Sequence, residues 1–279
     1  MKLHQWMVLA VACMAIVGLS LMPRYVVRND NKTLDVSTKN TDTSNIFSQK
    51  AHNENLSPSS RLKIDSLRAI INRKTSTDKE SYSQTLNDII NIWKASNHYD
   101  SAAFEAERFS RQFPDDELAQ LQTGELFYEA FTFALDNSKA NAMALKAREW
   151  LEKYADKHPE NLDVQTKIGM TFTTSENPMQ GILKLREVLQ KDPNHRLALF
   201  NLGVLSLRTN QYNKALERFL HLTQLQPTDW QNYLYLGICY KELGRKEEAI
   251  KALKLVKQNE PNPQLLEAAR SLLAELGVK

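Results

Sequence analysis

The sequence predicts an all-α chain of stacked helical hairpins, and three observations carry that prediction. Between Arg196 and Pro261 a pattern recurs at a fixed period: Leu199, Leu202-Gly203, Ala215, Phe219 and Pro227 return as Tyr233, Leu236-Gly237, Ala249, Leu253 and Pro261, each mark shifted by 34. Within each unit the apolar residues fall three and four apart, which is the spacing of one helix face. The 279 residues contain 8 Gly and 9 Pro, with 42% hydrophobic and 25% charged residues, a composition that suits helices joined by short turns. One hairpin cannot bury its apolar face alone, so a fixed period of this length implies an array.

Each mark has a physical role. A glycine inside a helix costs about 1 kcal/mol relative to alanine, so Gly203 and Gly237 predict a close approach by a neighbouring helix. Ala215 and Ala249 predict the same on the second helix of each unit. Pro227 and Pro261 close the units, because proline cannot continue a helix. Period and marks together resemble the tetratricopeptide-repeat (TPR) family. Shifted back by the same period, the pattern meets Pro193 and Pro159, Gly169 preceded by Ile168, and Gly181 then Ala147. The next step, from Pro159 to Pro114 and from Ala147 to Ala102, is longer than the period, so this repeat carries an insertion, and Gly124 takes its glycine mark. The resemblance therefore implies a helical-hairpin solenoid over 83–263, with five repeats near 83–116, 117–161, 162–195, 196–229 and 230–263. Ile90 replaces the family glycine in the first repeat, and the first helix of the second, from Asp116 to about Leu135, is too long for the family. Segment 264–279 reads as a C-terminal capping helix.

Residues 59–82 read as an N-terminal cap. A helix near Ser60–Lys74 places Ile64, Leu67, Ile70 and Ile71 on one face and leaves Leu62 off it. Arg61, Lys63, Arg68, Arg73 and Lys74 keep a partner or membrane surface open as alternatives. Thr77-x-x-Glu80 resembles a capping box opening the next helix.

Segment 1–22 reads as a membrane anchor or a signal segment. Trp6 to Met22 carries no charge along its whole length, which lies at the short end of a spanning helix. A cleaved signal is the main rival; its best small-x-small pair, Gly18-Leu19-Ser20, lies inside the apolar run. Cys13 follows a poor match to a lipoprotein box. Lys and Arg are slightly richer after the segment (Arg24, Arg28, Lys32), which favours a cytoplasmic domain, whereas a short basic N-terminus before an apolar run favours export. The expectation is a single-pass membrane protein with an extracytoplasmic repeat domain. Residues 23–58, rich in Ser, Thr, Asn, Asp and Lys, read as a disordered linker, because such a composition cannot bury enough apolar surface to order itself. As a coil its ~36 residues reach roughly 30–36 Å.

Charge and motif searches narrow the function classes. Residues 1–80 hold 12 Lys/Arg and 7 Asp/Glu; with an overall net charge of +3, residues 81–279 carry 3 − 5 = −2. Such a repeat domain shows no electrostatic footprint for nucleic acid. The six histidines stand at no ligand spacing, so no metal site is readable. His158 and His195 flank closing prolines and read as helix-end residues, while Asp115-Asp116-Glu117 and Glu247-Glu248 open helices, where the dipole favours acids. Cys239 reads as a small buried apolar residue. No nucleotide-binding or nucleophile motif occurs, so the chain reads as a non-enzyme without cofactors.

In the TPR family, first-helix positions two, five, nine and twelve line an inner groove. On the fourth repeat these are Leu197, Phe200, Val204 and Leu207, with Asn201 beside them. On the fifth they are Gln231, Leu234, Ile238 and Lys241, with Tyr235 adjacent; on the third, Asp163, Thr166, Met170 and Thr173. Phe200 and Val204 replace the basic and amide residues of the family's carboxylate-gripping branch. The apolar groove implies an apolar or amphipathic protein or peptide segment as partner. Alternatively, neighbouring helices of this chain or a second copy cover it. The resulting expectation is a membrane-anchored TPR scaffold or adaptor, with an exported soluble chaperone-like module and a self-associating structural repeat protein as the rivals.

Overall fold

The computed structural model describes residues 56–73 and 79–278. The expectations for segment 6–22, for the linker up to residue 55 and for Thr77 concern residues outside that range. The described residues form twelve helices and no strand. They are α1 (Pro58–Arg73), α2 (Lys79–Ala95), α3 (Tyr99–Gln112), α4 (Glu117–Thr132), α5 (Asn137–Ala155), α6 (Leu162–Thr171), α7 (Pro178–Lys191), α8 (Arg196–Arg208), α9 (Tyr212–Leu225), α10 (Trp230–Glu242), α11 (Lys246–Asn259) and α12 (Pro263–Glu275). Among them, no helix is long and apolar enough to cross a membrane. Two compact units divide the chain, one ending at Gly181 and the other beginning at Ile182, within α7.

Helix boundaries follow from side-chain caps and left-handed turns. Asp116, Asp136, Asn161, His195, Asp229 and Asn262 each accept a backbone N–H from the first turn of the helix they open. Pro263 adds a preset φ at the start of α12. The turns α2–α3, α8–α9 and α10–α11 pass through Asn97, Asn210 and Gly244, at φ 59°, 57° and 73°. The N–H after each bonds back to the Trp93, Ser206 and Tyr240 carbonyls, the pattern that closes a helix through a left-handed residue.

In the first unit, α1 packs on α2, α2 on α3, α3 on α4, α4 on α5 and α5 on α6. Ile64 and Ile71 of α1 enter the core with Leu86, Ile89, Trp93, Phe109, Phe127 and Leu151. Ile70, expected on the same face, is instead 43% exposed, because it lies to one side of the Ile64–Ile71 stripe that meets α2. Arg68 of α1 also donates to the buried Glu105 carboxylate of α3, 2.9 Å from Nε. Helix α4 ends at Thr132, and Phe133-Ala134-Leu135 lead to the Asp136 cap of α5, so the insertion lengthens this hairpin.

In the second unit, α8 packs on α9, α9 on α10, α10 on α11, and α12 against both α10 and α11. The glycine marks sit where a second-helix side chain presses on the first helix. A Cβ at Gly203 would lie 2.8 Å from the Phe219 ring, and one at Gly237 2.6 Å from Leu253. At Gly124 of the first unit the partner is Leu151, at 2.7 Å. Glycine and partner keep one sequence offset in the regular repeats (203 to 219, 237 to 253) and a longer one in the second (124 to 151); the excess equals the insertion. Gly181 stands where other repeats have alanine, because a Cβ there would collide with the Gly169 carbonyl oxygen.

Candidate functional site: the inner face of α8 and α10

The second unit contains the residues that the sequence nominates as the groove of the last two repeats. On α8, Leu197, Phe200, Asn201, Val204 and Leu207 are all half-buried. Phe200, Val204 and Leu207 pack their inner sides on a core of Leu199, Ala215, Leu216, Phe219 and Leu222 and leave the rest of each side chain accessible. The Phe200 ring meets Tyr235 edge-on at 5.3 Å and Phe219 at 6.0 Å, while Phe219 and Tyr235 stack at 4.8 Å. This trio fixes the orientation of Phe200. Asn201 donates from its side-chain amide to the Leu197 carbonyl at 2.8 Å, so one of its two N–H groups is spent on its own helix.

Along α10 the nominated residues divide. Ile238 and Lys241 are half-buried, and Ile238 extends the apolar surface of α8. The Lys241 ammonium pairs with the Glu275 carboxylate of α12 and lies 4.0 Å from Glu242. Leu234 and Tyr235 belong to the interior instead, at 1% and 7% exposure. Leu234 packs with Leu253, Val256, Ala269 and Leu273, because α12 closes over that end of α10 and α11. Tyr235 is covered by the Phe219 ring, and burial raises its phenol pKa. At these two positions the alternative cover, neighbouring helices of this chain, applies. In the third repeat Thr166, Met170 and Thr173 are likewise buried; both threonine hydroxyls donate to carbonyls of their own turn.

The remaining nominated residues take structural roles. Cys239 is fully buried, and burial pushes its thiol up to about 12, which leaves no reactive thiolate at neutral pH. His195 caps α8. Among the described residues no cluster of three His, Cys, Asp or Glu could hold a metal ion. A feature that sequence reasoning did not single out is the exposed side of α11, which carries Lys246, Lys251, Lys254 and Lys257.

A family model described as "RMD1-3: Regulator of microtubule dynamics protein 1-3" matches residues 204–276. Anaphase-promoting complex subunit 3 of Dictyostelium discoideum is 30% identical over 95 residues, 34% of this chain and 10% of that protein. A BBSome complex member BBS4 homologue of Drosophila melanogaster is 28% identical over 107 residues, 37% of this chain and 22% of that protein. The chain thus matches a tenth to about a fifth of the length of these relatives. A crystal structure of a tetratricopeptide repeat protein from Parabacteroides merdae shares 15% identity at a TM-score of 0.56, covering 76% of this chain and 78% of that one. With its fixed period, glycine–side-chain contacts and paired helices, the chain has the tetratricopeptide-repeat fold.

Proposed function

We propose that this protein is a membrane-anchored scaffold or adaptor that binds an apolar or amphipathic protein segment along the inner face of α8. The observation that carries the reading is the stripe Leu197, Phe200, Val204 and Leu207, continued by Ile238, which stays half-exposed beside a filled core. A contiguous apolar stripe left partly open on a helix face is a surface suited to a partner helix or strand. Asn201 and Lys241 are its polar neighbours. The anaphase-promoting complex subunit and the BBSome member are named as parts of assemblies, in keeping with a binding rather than a catalytic role. Segment 6–22 would tether the chain in a single pass, with the repeats extracytoplasmic at the end of the linker.

Affinity capture from native membranes tests the groove. The comparison is between the intact chain, a Leu197→Gln/Val204→Thr variant, and a Leu220→Gln control on the outer face of α9. The expected result is a co-purifying polypeptide that is lost from the groove variant and kept by the control. Only further copies of this chain on the bait would replace the reading with self-association. Alkaline extraction and mass measurement of the native N-terminus test the tether; release as a soluble, truncated chain would replace it with an exported module.

A further inference from the structure

The second unit carries more positive charge than it neutralises. Residues 182–279 hold 15 Lys/Arg and 10 Asp/Glu. Four of the lysines, Lys246, Lys251, Lys254 and Lys257, are exposed on α11. At about 100° and 1.5 Å per residue, they span an arc of roughly 140° and a length of roughly 16 Å on one side of the helix. Glu247 is the one acid within that arc, and Glu248 is held by Arg245 at 2.7 Å. Among the described residues, no carboxylate forms an ion pair with any of the four lysines. In the first unit several lysines are matched: Lys94 holds Glu129 at 2.7 Å, Lys146 holds Glu107 at 2.8 Å and Lys157 holds Glu117 at 2.9 Å. Those ammonium groups are paired across helices, and α11 leaves a row of them open.

We infer that the outer face of α11 is a second docking surface, which takes an acidic segment of a protein partner. The apolar side of α11 is committed to the core through Ala249, Ala252, Leu253 and Val256. Ile250, the one large apolar residue within the lysine arc, is half-buried against the Leu253–Leu273 cluster, so the open face offers mainly charge and not the broad apolar wedge that inserts a helix into a bilayer surface. It also lacks the arginines and aromatic rings with which nucleic-acid surfaces grip phosphates and bases. A row of carboxylates on an extended or helical segment matches lysines spaced three to five positions apart, and such a match acts mainly on association rate and specificity. This surface stands independently of the inner face of α8.

The test uses the full-length protein in neutral detergent and a fluorescent polyglutamate dodecapeptide, with Kd read by anisotropy at low and physiological salt. Lys251→Glu/Lys254→Glu/Lys257→Glu is compared with Lys184→Glu/Lys191→Glu/Lys214→Glu, which makes the same charge change on other helices of the same unit. Circular dichroism confirms that both variants are folded, and the matching Lys→Gln triple on α11 provides an intermediate step. The expected result is a loss of roughly tenfold or more in the α11 reversal, a smaller loss with glutamine, and little change in the control. Equal losses in the two reversals, or no loss on α11, would overturn the assignment. So would binding of the intact chain to phosphatidylserine vesicles through these lysines without binding of the peptide.

Discussion

In the second to fifth repeats the third residue of the first helix points into the interior: it is Ala119, Val164, Ala198 and Asn232. Asn232 is as buried as the others, yet neither its Nδ2 nor its Oδ1 has a partner. An unsatisfied buried amide costs about 1–3 kcal/mol. Asn232→Ala is therefore expected to raise the melting temperature, with a gain on the order of 1 kcal/mol; a drop would show that the amide is satisfied in solution. The glycines make an opposite prediction. Gly181→Ala drives a methyl group at a backbone carbonyl, which cannot swing aside, whereas Gly203→Ala meets the edge of the buried Phe219 ring. Gly181→Ala should cost roughly 1–3 kcal/mol, and Gly203→Val a similar amount, both by overpacking. An unchanged melt for either would contradict the contact that explains it. The glycines were legible in the sequence because only a close helix approach justifies them. Asn232 was not, because a lone polar residue reads as solvent-facing until packing places it in the interior.

At the scale of elements, the turn between α5 and α6 contains a pH-sensitive contact. His158 Nε2 lies 2.9 Å from Glu117 at the start of α4, and Nδ1 lies 3.5 Å from Glu160, with the ring stacked on Tyr154 at 4.3 Å. The hydrogen bond to Glu117 raises the His158 pKa, helped by the charge of Glu160. The folded pKa thus exceeds the unfolded value of about 6.5, so the stability from this contact is complete below that value and is lost as pH rises through the folded pKa. Melting temperature against pH for the intact chain should show a decline above about pH 6.5 that His158→Gln flattens. Parallel curves would show that the contact does not form in solution. The last two hairpins were readable because their marks recur at one fixed period. The turns were less so: Asn97, Asn210 and Gly244 share one left-handed role, but asparagine and glycine are interchangeable there and leave no single-residue signature. The lengthened second hairpin was legible as an insertion; how its residues divide between α4, the Phe133–Leu135 turn and α5 depends on packing.

For the molecule as a whole, an inner and an outer surface of the second unit are assigned different work. The fold class followed from period and composition, while the extent of the groove did not. Sequence position alone treats Leu234 like Phe200, since both occupy position five of a first helix. Only the arrangement of α12 over the end of α10 and α11 separates them. Leu234→Ala is accordingly expected to behave as a core deletion and to cost roughly 2–5 kcal/mol, read as a lowered melt. Photocrosslinking in the native host tests the central claim most directly, with a benzophenone side chain at 204 on the inner face and, in a second strain, at 220 on the outer face of α9. The expected result is an adduct with a different polypeptide from position 204 and none from 220. Adducts from 204 confined to this chain or to a second copy of it would contradict the partner-binding reading, because the inner face would then be covered by the protein itself.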